Sequence, residues 1–174
     1  MTNAKVLKSI LAGMAIATFS LGASAVPASA GGCSADAMKL INNLKGSWRG
    51  TGTVTPIGGA RGRISCRVTY KERSQRVSQK ISCRGADYNF EASAKVKCNN
   101  SALTGMWEEK VAHNTGGVTG SIKGTRLRLS IDGPNFKGRI AVTIANNRRH
   151  SLTITQFDPA AGRQVPVAKV SLKH

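Results

Sequence analysis

The sequence predicts an all-β fold, an antiparallel meander closed into a barrel of eight to ten strands, with one short N-terminal helix. Three observations predict it. From Ser47 onward, apolar and polar residues alternate with a period of two. The intervening stretches are short and rich in Gly, Asn, Pro and Asp, as hairpin connections are. A helical stripe occurs once, between Ser34 and Leu44. Strands with one apolar and one charged face suit an antiparallel sheet that is wet on one side. Closing that sheet removes both edges and buries its inner face. A two-sheet sandwich is the alternative.

Residues 1–30 read as a secretory signal, which leaves 31–174 as a single β-barrel domain. Lys5 and Lys8 form a positive start, and Ile10 to Leu21 is an apolar run of about a dozen residues, too short for a membrane span. Small-residue cleavage sites follow at Ala23-Ser24-Ala25 and Ala28-Ser29-Ala30, with cleavage expected after Ala30. The mature protein is therefore expected to be periplasmic or secreted, not membrane-spanning, and a monomer.

In the helix, Ser34 is the expected N-cap, Asp36 suits the positive N-terminal end, Met38, Ile41 and Leu44 form the apolar stripe, and Gly46 ends the element. The strands then follow in order, each as a zigzag run. The first carries Trp48, Gly50, Gly52 and Val54 inward. The second and third carry Ile64 to Tyr70 and Val77 to Cys83, and the fourth Tyr88 to Cys98. Later runs centre on Leu103–Trp107, Val118–Ile122, Leu127–Ile131 and Phe136–Ile144, with two more near His150–Gln156 and Val167–Lys173. Two-residue loops at Gly124-Thr125 and Gly133-Pro134 would pair Leu127 with Ile122 and Leu129 with Gly138. That register sets Arg128 directly opposite Arg139.

All four cysteines lie beyond residue 30, an even count that implies two disulfides in an oxidising compartment. Zinc is the rival, but no C-x-x-C pair or neighbouring histidine supports it, so no metal is expected. If strands two and three turn around Ser74-Gln75, direct partners place Val68 against Ile81, Tyr70 against Gln79 and Cys66 against Cys83, within disulfide reach. Cys98 then lands at the Ser74 end, where the first strand begins after the helix. A Cys33–Cys98 bridge would pin the helix over that mouth.

Function is read from two places, the interior and the outer wall. The interior residues Trp48, Tyr70, Gln79, Tyr88, Trp107, His150 and Gln156 are candidate ligand-pocket groups, the polar ones few as a small-ligand site requires. The inward glycines Gly50, Gly52, Gly105, Gly120 and Gly138 either leave volume unfilled or relieve curvature. The open mouth is expected opposite the helix, at Pro56–Ala60, Gly85–Asp87, Val111–Gly117, Asp132–Asn135 and Asp158–Pro166. His113 and His174 are expected in solvent.

Of the 26 Lys and Arg, removing Lys5 and Lys8 leaves 24 against 8 Asp and Glu, a net charge of +16 on residues 31–174. Such an excess speaks to partners rather than to fold. Arg63, Arg67, Lys71, Lys80, Arg84, Arg128 and Arg139 are the candidate anion-binding surface. A lipid headgroup, lipopolysaccharide or acidic glycan of the envelope, or a small amphipathic ligand, would be the partner. Exposed aromatics for base stacking are lacking, which argues against specific nucleic-acid recognition. There is no inward carboxylate pair, no G-x-S-x-G and no uncommitted cysteine, so no catalytic residue and no enzyme is expected.

A helix followed by Gly46-Ser47-Trp48 and a meander resembles the lipocalins and their calycin relatives. Leu44 to Gly52 also looks like the opening of the nitrobindin-type haem barrels. Ser65-Cys66-Arg67, Ser82-Cys83-Arg84 and Gly105-Met106-Trp107-Glu108 resemble the pattern of a family of uncharacterised exported alphaproteobacterial proteins, which carries no assigned activity. The barrel resemblances imply a binding protein for a small hydrophobic ligand. The haem resemblance would need His150, the sole inward histidine, as ligand, and no cofactor is otherwise expected. A periplasmic protease inhibitor or envelope-stabilising protein on the same barrel is the further alternative.

Overall fold

The computed structural model describes residues 31–174, so the proposed signal at 1–30 lies outside the described residues. Helix α1 (Ala35–Leu44) is followed by β1 (Gly46–Val54), β2 (Gly62–Arg73), β3 (Arg76–Arg84), β4 (Asn89–Asn99) and β5 (Ala102–Glu109). Then come β6 (Asn114–Lys123), β7 (Arg126–Asp132), β8 (Lys137–Asn146), β9 (Arg149–Asp158) and β10 (Arg163–Lys173). Each strand pairs antiparallel with its sequence neighbours, and β10 returns to β1, so ten strands close one barrel.

The helix starts where Ser34 places its hydroxyl to accept the Ala37 N–H at 3.3 Å, one of the first-turn donors left unpaired by helix geometry. Its buried face is Ala37, Leu40, Ile41 and Leu44. Met38, expected on that stripe, is only partly buried at its edge. The indole of Trp48 donates from Nε1 to the Leu44 carbonyl at 2.8 Å. That bond satisfies a C-terminal carbonyl of the helix and locks it to the first strand.

Both expected disulfides are present. Cys66 faces Cys83 in the β2–β3 register, with Val68 against Ile81 and Tyr70 against Gln79. Ser74 and Gln75 both take positive φ at the turn, the backbone that suits the twist of a tight hairpin. Cys33 joins Cys98 with Cα atoms 5.2 Å apart. The Cys98 N–H donates to Gln75 O at 3.0 Å, which places this bridge at the helix end of the barrel.

The β7–β8 hairpin departs from expectation. Its turn spans Gly133 to Phe136, closed by the Gly133 N–H donating to Phe136 O at 2.9 Å. Two more residues in the loop shift the register by one inward pair, so Leu129 faces Ile140 and Ile131 faces Gly138. Arg128 consequently faces Ala141, and Arg139 faces Ser130. The two arginines do not oppose one another.

Two mouth loops are also shorter than expected. Asn114 to Gly117 belong to β6, and Arg163 to Pro166 to β10, where a register irregularity accommodates Pro166, the kind of bulge at which a strand tolerates proline. The inward glycines mark close approach rather than empty space. A Cβ on Gly50 would strike the Ser171 carbonyl oxygen, and one on Gly105 the Lys95 carbonyl oxygen.

Loss of Cys33–Cys98 (both to Ala) should lower the unfolding free energy by about 4 kcal/mol, and loss of Cys66–Cys83 by about 3 kcal/mol, because the bridges span 65 and 17 residues and longer loops constrain the unfolded chain more. Urea titration of the two double variants checks the ranking. A larger loss from the shorter loop would contradict the chain-entropy account.

Candidate functional site

The interior divides into two ends. At the helix end the core is closed: Trp48 is fully buried and meets His150 edge-on at 4.3 Å between ring centroids. Tyr70 and His150 complete a small polar cluster there. The Gln79 amide donates to the Tyr70 hydroxyl at 3.2 Å, and that hydroxyl lies 3.4 Å from His150 Nε2. Nδ1 is buried without a partner. Burial lowers the His150 pKa to about 4 and pushes that of Tyr70 well up, a shift the Gln79 hydrogen bond opposes. Both groups are therefore neutral at pH 7.

Beneath the helix, Ile41, Leu44 and Tyr70 border a cavity of about 30 Å³. The larger cavity, about 260 Å³, occupies the opposite half. Gln79 and Ala94 border both and so form the partition. The walls of the larger cavity are largely apolar, with Ile131, Phe136, Ile140, Leu152 and Ile154 from β7 to β9 facing Ile81, Phe90 and Ala92 from β3 and β4. Trp107 from β5 and Tyr88 from the β3–β4 connection close the remaining sides. Trp107 packs tilted against Phe136 at 5.4 Å, and its Nε1 is a buried donor without a partner. Val111 and Ala112, in the β5–β6 connection, place the opening among the loops away from the helix.

Three of the seven expected pocket residues therefore line this cavity: Gln79, Tyr88 and Trp107. Tyr70 borders only the small one, and Trp48 and His150 belong to the closed core beneath the helix. Gln156 is half-buried opposite Gly138 and Val165 and borders neither cavity. His174, expected in solvent, is exposed yet sets its ring edge-on to Trp48 at 4.8 Å. The haem reading loses its ligand, because an axial histidine must face its haem, whereas His150 is committed to Tyr70 outside the larger cavity.

Glu109 was not anticipated. It is 5% exposed and borders the cavity. Its two oxygens accept the Val111 and Ala112 N–H groups at 2.7 Å each. Burial raises the Tyr88 pKa, and the Glu109 charge raises it further, so the Tyr88 hydroxyl stays protonated. The site thus combines an apolar body with a carboxylate, a phenol and an amide at its edge. Among the described residues, no three His, Cys, Asp or Glu side chains gather as metal ligands would, and no helix is long and apolar enough to cross a membrane.

The expected anion-binding residues do not form one patch. Arg63, Arg67 and Lys71 lie on β2 and Lys80 and Arg84 on β3, whereas Arg128 and Arg139 lie on β7 and β8, across the barrel.

No family model matches the chain, and no curated protein matches it in sequence. Its fold is shared by solved structures. That of Rv2717c from M. tuberculosis aligns over 80% of this chain and 98% of its own, at 13% identity and a TM-score of 0.65. That of the S-type phycobiliprotein lyase CPES from Guillardia theta aligns over 79% and 91%, at 10% identity and a TM-score of 0.56. EF1p2_mFAP2b bound to DFHBI aligns over 80% and 97%, at 14% identity and a TM-score of 0.49. The likenesses to Rv2717c and to the lyase show the fold alone, and they agree with the closed antiparallel, lipocalin-like barrel of the structure. They also correct the expectation that the chain is not an enzyme: one protein with this fold is a lyase, so the barrel gives no ground for excluding catalysis.

His150 makes stability pH-dependent with a definite sign. The unfolded imidazole takes up its proton near pH 6.5, whereas the folded one does so only near about 4. Its contribution is intact above about pH 6.5 and is lost as the pH falls toward 4. Unfolding free energy from urea titration should drop by about 2–3 kcal/mol more between pH 7 and pH 4.5 in the wild type than in His150→Gln. Parallel pH profiles for the two proteins would refute this.

Proposed function

We propose that the chain is an exported barrel that takes one small, mainly apolar molecule into the cavity opposite its helix. The observation that carries this reading is a largely apolar chamber of about 260 Å³ bordered by Trp107, Tyr88 and Glu109. Barrel mouths are recurrent sites for such ligands, and drug-sized pockets start near roughly 300 Å³, so the fitting molecule is small. The Glu109 carboxylate makes an anionic head group unfavourable inside. The ligand is accordingly neutral or cationic, and apolar along Ile131 and Ile140.

The two disulfides fit an oxidising compartment. They support, with the sequence of residues 1–30, a periplasmic or secreted location and the kinship to exported alphaproteobacterial barrels. An amphipathic component of the cell envelope is then the ligand class within reach.

A neutral fluorescent probe, N-phenyl-1-naphthylamine, tests the chamber. It should gain fluorescence on binding and quench Trp107. Ala94→Leu, which adds volume at the partition, should weaken it by at least about tenfold, roughly the cost of forcing extra methylenes into a filled site. Unchanged affinity in Ala94→Leu, with near-UV circular dichroism intact, would place the probe elsewhere and defeat the reading.

A further inference from the structure

The outer wall formed by β9, β10, β1 and β2 lies apart from the chamber. Arg149 on β9 faces Lys173 on β10, Lys173 faces Arg49 on β1, and Arg49 faces Arg67 on β2. Four cationic side chains, all exposed, are therefore direct cross-strand neighbours in one row. Strands are spaced by about 4.8 Å, so the row runs about 14 Å across the wall. Like charges directly opposed on a sheet face are destabilising, and here the opposition occurs three times in succession. None of the four has an ion-pair partner; the ion pairs among the described residues are Lys45–Glu72, Lys110–Glu91 and Lys137–Asp132. Beyond Arg67 the same row continues through Ser82 to Glu91, which is held by Lys110 at 3.8 Å.

The neighbouring row, toward the open mouth, is made of hydroxyls. Ser151, Ser171, Thr51 and Ser65 face one another in turn across the same four strands, and Arg84 on β3 ends the row. At the β1–β3 end both rows border one surface hollow, which Arg49, Arg67 and Arg84 share with Ser65 and Ser82 over the Cys66–Cys83 bridge. No carboxylate belongs to either row on these four strands.

We infer that this wall binds a linear acidic polysaccharide, whose charged groups lie along the Arg/Lys row and whose hydroxyls meet the Ser/Thr row. A single small anion would neutralise one opposed pair, whereas a chain with repeated charges relieves all of them. Arginine pairs with carboxylate and sulfate through two parallel hydrogen bonds, and a hydroxyl both donates and accepts, as sugar hydroxyls require. The wall lacks what the other polyanions use. Neither row contains an aromatic ring to stack on bases or an apolar side chain to enter a lipid surface. Ile57, Met106, Val111 and Phe157, the exposed large apolar residues, all lie outside the two rows.

The test uses the purified, disulfide-bonded protein with heparin and polygalacturonate as probes, and with a single-stranded DNA oligonucleotide and phosphatidylglycerol vesicles as competing classes. The variant Arg49→Ser/Arg67→Ser is compared with Lys123→Ser/Arg126→Ser, which removes the same charge at the β6–β7 turn. The wall variant should weaken both glycans by at least about tenfold and flatten their salt dependence, with the turn variant changing affinity by less than about twofold. Its melting temperature should hold or rise, since an unfavourable opposition is removed, so lost binding will not reflect lost folding. Equal losses in the two variants would reduce the effect to bulk charge and overturn the site. So would the absence of glycan binding, or an equal wall-dependent loss for DNA or vesicles.

Discussion

The pairing of β1 with β10, from Arg49–Lys173 to Val54–Ala168, is the constraint on which the rest of the molecule depends. Without it the chain is a ten-stranded ribbon with two open edges and an apolar face in water. With it, every alternate side chain is assigned irrevocably to the inside or the outside. The closure needs the two backbones to approach closely, and Gly50 and Gly52 permit it: a Cβ at either position would collide with a carbonyl oxygen of β10. Glycine weakens a strand in isolation, and here that cost is offset by six paired residues and a sealed interior.

Closure alone leaves two open ends, and the chain treats them differently. At one end the helix is tied down three ways: by the Cys33–Cys98 bridge, by the Ser34 N–H donating to Asn100 O at 2.7 Å, and by the Trp48 indole on Leu44 O. Beneath it Gln79, Tyr70 and His150 form a hydrogen-bonded chain buried against Trp48. At the other end no helix or strand among the described residues covers the barrel, and the cavity persists there. The apolar chamber thus lies at the end opposite the helix and meets the Gln79, Tyr70 and His150 chain only at Gln79.

The outer surface obeys a different rule. Inside, burial selects the residue; outside, solvent tolerates almost any polar side chain, so a continuous row of like charges is not required by the fold. The Arg149–Lys173–Arg49–Arg67 row runs against the electrostatic preference of the sheet. The row depends on the register across β9, β10, β1 and β2, because its facing members Arg49 and Lys173 lie 124 residues apart in sequence.

How much of this was legible follows from the range of each interaction. The Cys66–Cys83 pairing was readable because Ser74-Gln75 sets a local hairpin register that carries outward residue by residue. The same logic failed at Arg128 and Arg139, since Gly133-Pro134 was read as a two-residue loop while the turn runs on to Phe136. Glu109 carried a readable signal, as it shares the inward parity of Leu103 and Trp107, but a carboxylate suggests solvent until its two N–H partners in the following loop are seen. The sequence by itself determined the strands and their inner faces through period-two alternation, the helix through its capped apolar stripe, and the Cys66–Cys83 pair through a local hairpin register, which left Cys33 for Cys98. Which interior residues border the cavity, and which charges meet across the wall, only the tertiary structure decided. Those neighbours are fixed by how the barrel tilts and closes, and alternation along one strand does not encode height within the barrel.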